Sequence, residues 1–268
     1  MMNLLDHTIE LMNKYGVAAQ KRFSQNFLVN QKSVDIIIKS LDFSKVDHVI
    51  EIGPGLGSLT NPLLSNSKKL TSIEFDNDMI KVLSNEIKDD RFTLIQNDFL
   101  KEDLTKYNNE KVAYIGNLPY QITRDLIKKV VTNGHFEYFG FMLQKDLADE
   151  LFYKPGLSCN SNYSAFLAMV GRLERILDLK PNNFYPSPKV DSTFVALYPT
   201  NLEYANMHTF KVLDCIFKNP KKTLFNNLKN SFYKEDGIMF ESLNIDKNIR
   251  PHQLDVETLR KIIDFYKN

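Results

Sequence analysis

The chain has 268 residues, 43% of them hydrophobic and 25% charged, and its formal net charge is +1. That is an ordinary globular composition with room for one large domain and a small one, and it carries no global basic excess, so any nucleic-acid footprint must be local. Cys159 and Cys215 lie far apart and outside any CxxC spacing, which excludes a disulfide scaffold or a cysteine metal centre and suits buried thiols in a reducing compartment. Asp6 and Glu10 interrupt the N-terminal segment, and no stretch approaches 18 apolar residues. Neither a targeting peptide nor a membrane span is expected, and the expected location is cytoplasmic.

Helical spacing over residues 3–14 puts Leu4, Leu5, Thr8, Ile9 and Met12 on one broad face, and Tyr15-Gly16 ends it. Residues 20–28 mix two cations, two aromatics and three amides without a period. They read as a lid, with Lys21 and Arg22 toward phosphate and Asn26 toward a ligand. A second helix is expected over 33–41.

Residues 48–52 then read as a strand running into Gly53-Pro54-Gly55-Leu56-Gly57, with Ser58-Leu59-Thr60 opening a helix. Glycines there let a backbone approach a ligand, and the helix start adds free N–H groups. A second strand, 70–73, ends at Glu74, an acid placed to accept two ribose hydroxyls. Pro54, and Ser58 where a dinucleotide loop would carry its last Gly, make a pyrophosphate turn less natural. The pattern suits S-adenosylmethionine better. The third strand, 92–95, leads to Asp98, which either accepts a cofactor adenine amino group or caps the following segment.

A fourth strand, 112–115, is expected to break at Gly116 and deliver Asn117-Leu118-Pro119-Tyr120 on a loop. Its primary amide, a backbone carbonyl and an aromatic face could hold the exocyclic amine of a flat base. Gly53, Gly55, Glu74, Asp98 and Asn117 thus all fall at C-terminal strand ends, the ligand-binding edge of an open α/β sheet. A helix over 123–132, a strand over 138–143, helices from 144 and over 163–170, and strands over 175–179 and 193–198 complete this part. The Pro-locked segment Phe184-Tyr185-Pro186-Ser187-Pro188 either connects strands or offers Phe184 as a second aromatic face for the base. From about residue 207 the pattern is helical. Segment 218–234 carries Lys218, Lys221, Lys222, Lys229 and Lys234 and no acid before Lys234, reading equally as a solvated face or as a phosphate-contact patch.

The segments QKRFSQNFL, EIGPGLGSLT, GNLPY, MLQKDLADEL, FYPSPKVDS and KKTLFNNLK, in that order, resemble the ribosomal RNA adenine dimethyltransferase family. The likeness runs from about residue 14 to 266 and is nearest the branch acting on two adjacent adenines near the 3′ end of 16S RNA. It implies a Rossmann-like α/β methyltransferase sheet followed by a small all-helical domain. The expected division is an N-terminal helix and lid over 1–30, the methyltransferase domain over 31–199 and an RNA-binding helical domain over 200–268. The resemblance implies that Asn26, Leu28, Gly53, Gly55, Glu74, Asp98 and Asn117 contact S-adenosylmethionine. It further implies that Asn117, Leu118, Pro119, Tyr120 and Phe184 hold the target adenine, and that Lys21, Arg22, Lys221 and Lys222 meet RNA. A monomer without a metal, acting on the small subunit or its precursor, is the expected working form. Ser24 departs from the Gly usual in that branch and matches relatives that modify large-subunit RNA. Asn219-Pro220-Lys221-Lys222 stands where Arg is usual, and Lys lacks the guanidinium fork.

Overall fold

The computed structural model describes residues 3–20, 25–229, 231–233 and 237–267. In chain order it runs α1 (Leu4–Tyr15), β1 (Phe27–Leu28), α2 (Gln31–Ser40), β2 (His48–Ile52), α3 (Thr60–Asn66), β3 (Leu70–Glu74), α4 (Asn77–Glu86), β4 (Phe92–Gln96), β5 (Val112–Asn117), α5 (Thr123–Asn133), β6 (Tyr138–Gln144), α6 (Lys145–Leu151), α7 (Asn162–Val170), β7 (Gly171–Leu179), β8 (Phe184–Tyr185), β9 (Ser192–Pro199), α8 (Met207–Ile216), α9 (Leu224–Lys229), α10 (Ile238–Leu243) and α11 (Val256–Phe265). Two compact units result. The first comprises residues 1–130, 135–145 and 174–198, and the second comprises 131–134, 146–173 and 199–268.

The first unit is built on a seven-stranded sheet of order β4-β3-β2-β5-β6-β9-β7. Pairings among β4, β3, β2, β5 and β6 are parallel, and β9 joins β6 antiparallel. All five residues of β2 and all five of β3 are buried, as strands covered on both faces must be. Apolar side chains of α2, of Leu41 at its end and of α3 (Val34, Ile37, Leu63, Leu64) pack with Val49, Leu70, Ala113, Ile115 and Met142. The strand order reverses at β2: the chain goes outward through β3 and β4, then returns to β5 on the other side. That reversal opens a crevice at the C-terminal ends of β2 and β5.

The α/β Rossmann-like fold agrees with the sequence reading, with local differences. Gly116 does not break the fourth strand. β5 continues through it, pairing with Ile52 and Phe141, and Asn117 is its last residue. A Cβ on Gly116 would lie 2.6 Å from the Ile52 carbonyl oxygen, so the glycine permits close strand contact rather than a turn. Residues 27–28 form a short antiparallel ribbon with Phe184 and Tyr185, where a loop was expected. In α1 the buried residues are Thr8 and Leu11, and Leu4, Leu5, Ile9 and Met12 are only half-buried.

The second unit is wider than a C-terminal tail from residue 200, because it includes 146–173. Its core explains why: α7 is buried along Ser164–Leu167 and at Met169 and Val170, and Tyr163 and Phe166 meet Phe210 edge-on. The lysine-rich stretch is not one helical face either. Lys218, Lys221 and Lys222 stand exposed on the turn between α8 and α9. Buried Asn227 closes that turn, donating to the Asn219 carbonyl at 3.0 Å and accepting its N–H at 3.2 Å. Among the described residues no helix is long and apolar enough to cross a membrane.

Candidate active site

The crevice holds a cavity of about 340 Å³, within the range of small-molecule sites. It is lined by Gln25–Leu28, the glycine loop, Glu74–Asp76, Asn97–Leu100 and Asn117–Ile122. The strand-end residues singled out in the sequence therefore share one wall-to-wall space.

Gly53, Gly55 and Gly57 all take positive φ (64°, 57° and 87°), which only glycine adopts without strain. A Cβ on Gly53 would meet nothing within 4 Å, so its backbone is open to a ligand. On Gly55 a Cβ would sit 3.0 Å from the Phe27 ring, which closes that side of the loop. Glu74 Oε2 accepts the Gly55 N–H at 3.1 Å, and Oε1 accepts those of Phe75 and Asp76 at 2.8 and 2.9 Å. Burial nevertheless holds its carboxyl above the usual carboxylate range. Asp98 Oδ1 caps the turn after β4 by accepting the Leu100 N–H at 2.9 Å. It also lines the cavity, so both roles weighed for it are compatible.

Asn117 donates from Nδ2 to the Asn26 carbonyl at 2.9 Å. Reversing the amide would set oxygen against oxygen, so this bond orients Oδ1, which makes no hydrogen bond among the described residues. The next carbonyls differ. Pro119 oxygen is occupied by the Ile122 N–H at 3.2 Å and the Thr123 hydroxyl at 2.9 Å. Leu118 oxygen accepts no hydrogen bond among the described residues. Tyr120 lies beside them, its hydroxyl 3.2 Å from Ser192 Oγ, and burial pushes its phenol up.

Phe184 is not brought to the cavity. It is 3% exposed, packed in the core, and its strand pairs with Leu28. The alternation of strand side chains explains the difference: Phe184 turns inward, and Tyr185 is the exposed ring of the pair. Lys21, Arg22 and Ser24 lie outside the described residues. Lys221 and Lys222 belong to the second unit.

Gln25, Glu51, Phe75 and Asp76 also line the cavity and were not singled out. Glu51 could have been suspected as an acid in an otherwise apolar central strand. It is 2% exposed and accepts Thr60 Oγ at 3.1 and 2.9 Å and Ser72 Oγ at 2.6 Å. Burial, opposed by the hydroxyls and reinforced by Glu74, raises its carboxyl from 4.5 to about 7. Between those values the folded chain holds a proton that the unfolded chain has released, so stability falls as pH rises through that window. Relative to Glu51→Gln, the native protein should lose roughly 2–3 kcal/mol of unfolding free energy between pH 5 and pH 8. Urea unfolding at both pH values measures this, and a constant difference between the two proteins would refute it.

Residues 16–268 match the family described as Ribosomal RNA adenine dimethylase. A relative from Malacoplasma penetrans, Ribosomal RNA small subunit methyltransferase A, is 34% identical over 264 residues, covering 96% of each chain. Among solved structures, a dimethyladenosine transferase from Plasmodium falciparum superposes with a TM-score of 0.77 at 24% identity, covering 90% of this chain and 98% of that one. The 23S rRNA methyltransferase ErmE superposes with a TM-score of 0.65 at 19% identity, covering 91% and 100%, so at this level the fold is common to both. With a family match over nearly its whole length, the chain belongs to the ribosomal RNA adenine dimethylases, which are methyltransferases.

Proposed function

We propose that this enzyme dimethylates the exocyclic N6 of two adjacent adenines near the 3′ end of 16S RNA, in the small ribosomal subunit or its precursor, using S-adenosylmethionine. The observation that carries the reading is the pair of open acceptors, Asn117 Oδ1 and the Leu118 carbonyl, in one cavity with the glycine loop. An adenine amine has two N–H donors, and two acceptors at one strand tip can take both.

The cavity fits the cofactor: an open glycine backbone at Gly53, a buried carboxyl at Glu74 and a half-buried one at Asp98 suit a nucleoside. Glu74 would hold the ribose, Asp98 the adenine amino group, and Asn26, Leu28, Gly53, Gly55 and Asn117 the remainder. When bound, S-adenosylmethionine supplies a methyl group already activated by its sulfonium, so the chemistry requires no metal and no covalent enzyme intermediate.

The amine is the weak partner, because its lone pair is delocalised into the ring. Accepting both N–H groups on Asn117 and Leu118 favours a more tetrahedral nitrogen with a localised lone pair. Tyr120 stacks on the extracted base and fixes its plane. Much of the acceleration then comes from holding nitrogen in line with the methyl. The product cation is acidic enough to release its proton to water, so no strong base is needed. Lys21, Arg22, Lys221 and Lys222 contribute phosphate contacts, and Phe184 acts from the core by supporting the strand at Leu28. The protein acts as a monomer in the cytoplasm.

Incubating undermodified small subunits and purified large subunits with protein and cofactor, then mapping methylated adenines by mass, tests the reading. Two adjacent dimethylated adenines near the small-subunit 3′ end are expected. Methylation confined to the large subunit would overturn it.

A further inference from the structure

We infer that Gln25 is a positioning residue for methyl transfer, holding the Asn26 carbonyl in the place from which it orients the Asn117 amide. The inference rests on the proposed role of Asn117 as an acceptor for the target amine. Asn26 is the last residue before the β1–β8 ribbon. On its C-terminal side Phe27 and Leu28 pair with Tyr185 and Phe184, and the Val29 N–H donates to the Asn183 carbonyl at 2.8 Å. Immediately before it, the Gln25 side chain ties the chain to Asp76.

Gln25 Nε2 donates to Asp76 Oδ2 at 2.8 Å, and its Oε1 accepts the Gln20 N–H at 2.8 Å. Asp76 is a firm anchor. It is 5% exposed, caps α4 by accepting the Asp78 N–H at 2.9 Å, and donates its own N–H to Glu74 at 2.9 Å. Glu74 in turn takes the Gly55 N–H. A continuous set of hydrogen bonds therefore runs from the glycine loop through Glu74 and Asp76 to Gln25, then one peptide further to the Asn26 carbonyl and Asn117. Gln25 is the joint between the half of the cavity suited to a nucleoside and the half suited to the target amine. Without it, the peptide before Asn26 loses its tie to Asp76, and the Asn26 carbonyl that selects the Asn117 rotamer is held less firmly.

The test compares the full-length protein with Gln25→Ala, Gln25→Glu, and Gln25→Glu combined with Asp76→Asn. In Gln25→Glu two carboxylates face each other. The combined variant restores a donor–acceptor pair with the polarity exchanged, and Asn still caps a helix. We expect Gln25→Ala and Gln25→Glu to lower kcat about tenfold or more while KM for the cofactor changes less than about threefold. The combined variant should recover to within about threefold of the native kcat. The Asn117 side-chain amide resonances should shift in the two single variants and return in the combined one, whether or not RNA is present. Native kcat in Gln25→Ala, unmoved Asn117 resonances, or a combined variant no better than Gln25→Glu would each overturn the inference. If the native protein methylated no ribosomal RNA, the functional reading would fail while the resonances still decided the role of Gln25 in orienting Asn117.

Discussion

Asn117→Ala is expected to lower methyl transfer by about 10³-fold or more while ribosomal RNA binding stays within about threefold. The side chain is half-buried at the tip of β5, and its amide is fixed by one bond to the Asn26 carbonyl. Alanine removes an acceptor already aimed before substrate arrives, so no reorganisation is available to replace it. Leu118 oxygen would remain, but a single acceptor leaves one N–H of the amine unpaired and its lone pair in the ring. Asn117→Asp is the informative companion. It keeps an acceptor but sets its second oxygen against the Asn26 carbonyl, so it should also fall well below the native rate. Single-turnover methyl transfer and filter binding measure the two quantities. A rate within tenfold of native for Asn117→Ala would remove the residue from the mechanism.

The second large effect lies one residue earlier. Gly116→Ala should lower the midpoint of thermal unfolding by about 5–10 °C, reflecting overpacking of about 2–3 kcal/mol, and should weaken cofactor binding as well. The added Cβ would lie 2.6 Å from the Ile52 carbonyl oxygen and 3.0 Å from Leu118 Cδ2. The closest atom is backbone in the centre of the sheet, so no side-chain rotation relieves the contact. β2 and β5 must separate at their tips, where β2 delivers Gly53 and β5 delivers Asn117. One methyl group thus disturbs both halves of the cavity. Calorimetry and equilibrium binding of the cofactor product would check it, and an unchanged midpoint with native binding would show that the strand tips yield without cost.

Much of this was legible in the sequence because the signals are local. A buried strand running into three glycines, with an acid at the end of the next strand, constrains backbone conformation and chemistry within about twenty-five residues. Gly53, Gly55, Glu74, Asp98 and Asn117 accordingly meet in one cavity. The segments over 138–143, 163–170 and 193–198 also took the expected form, because burial on two faces leaves a continuous apolar run.

Local patterning along the chain set which residues stand at the strand ends. The tertiary structure decided which atoms of those residues remain available. Local bonds occupy the Pro119 carbonyl and leave Leu118's open. Phe184 turned into the core because its ribbon partner is Leu28, a pairing across more than 150 residues that no local period can encode. Gln25 and Asp76 matter for the same reason, since they are 51 positions apart and meet at 2.8 Å only when β1 and β3 are in place. Periodicity reports which face of an element is buried, whereas hydrogen-bond partners depend on where distant elements finally lie.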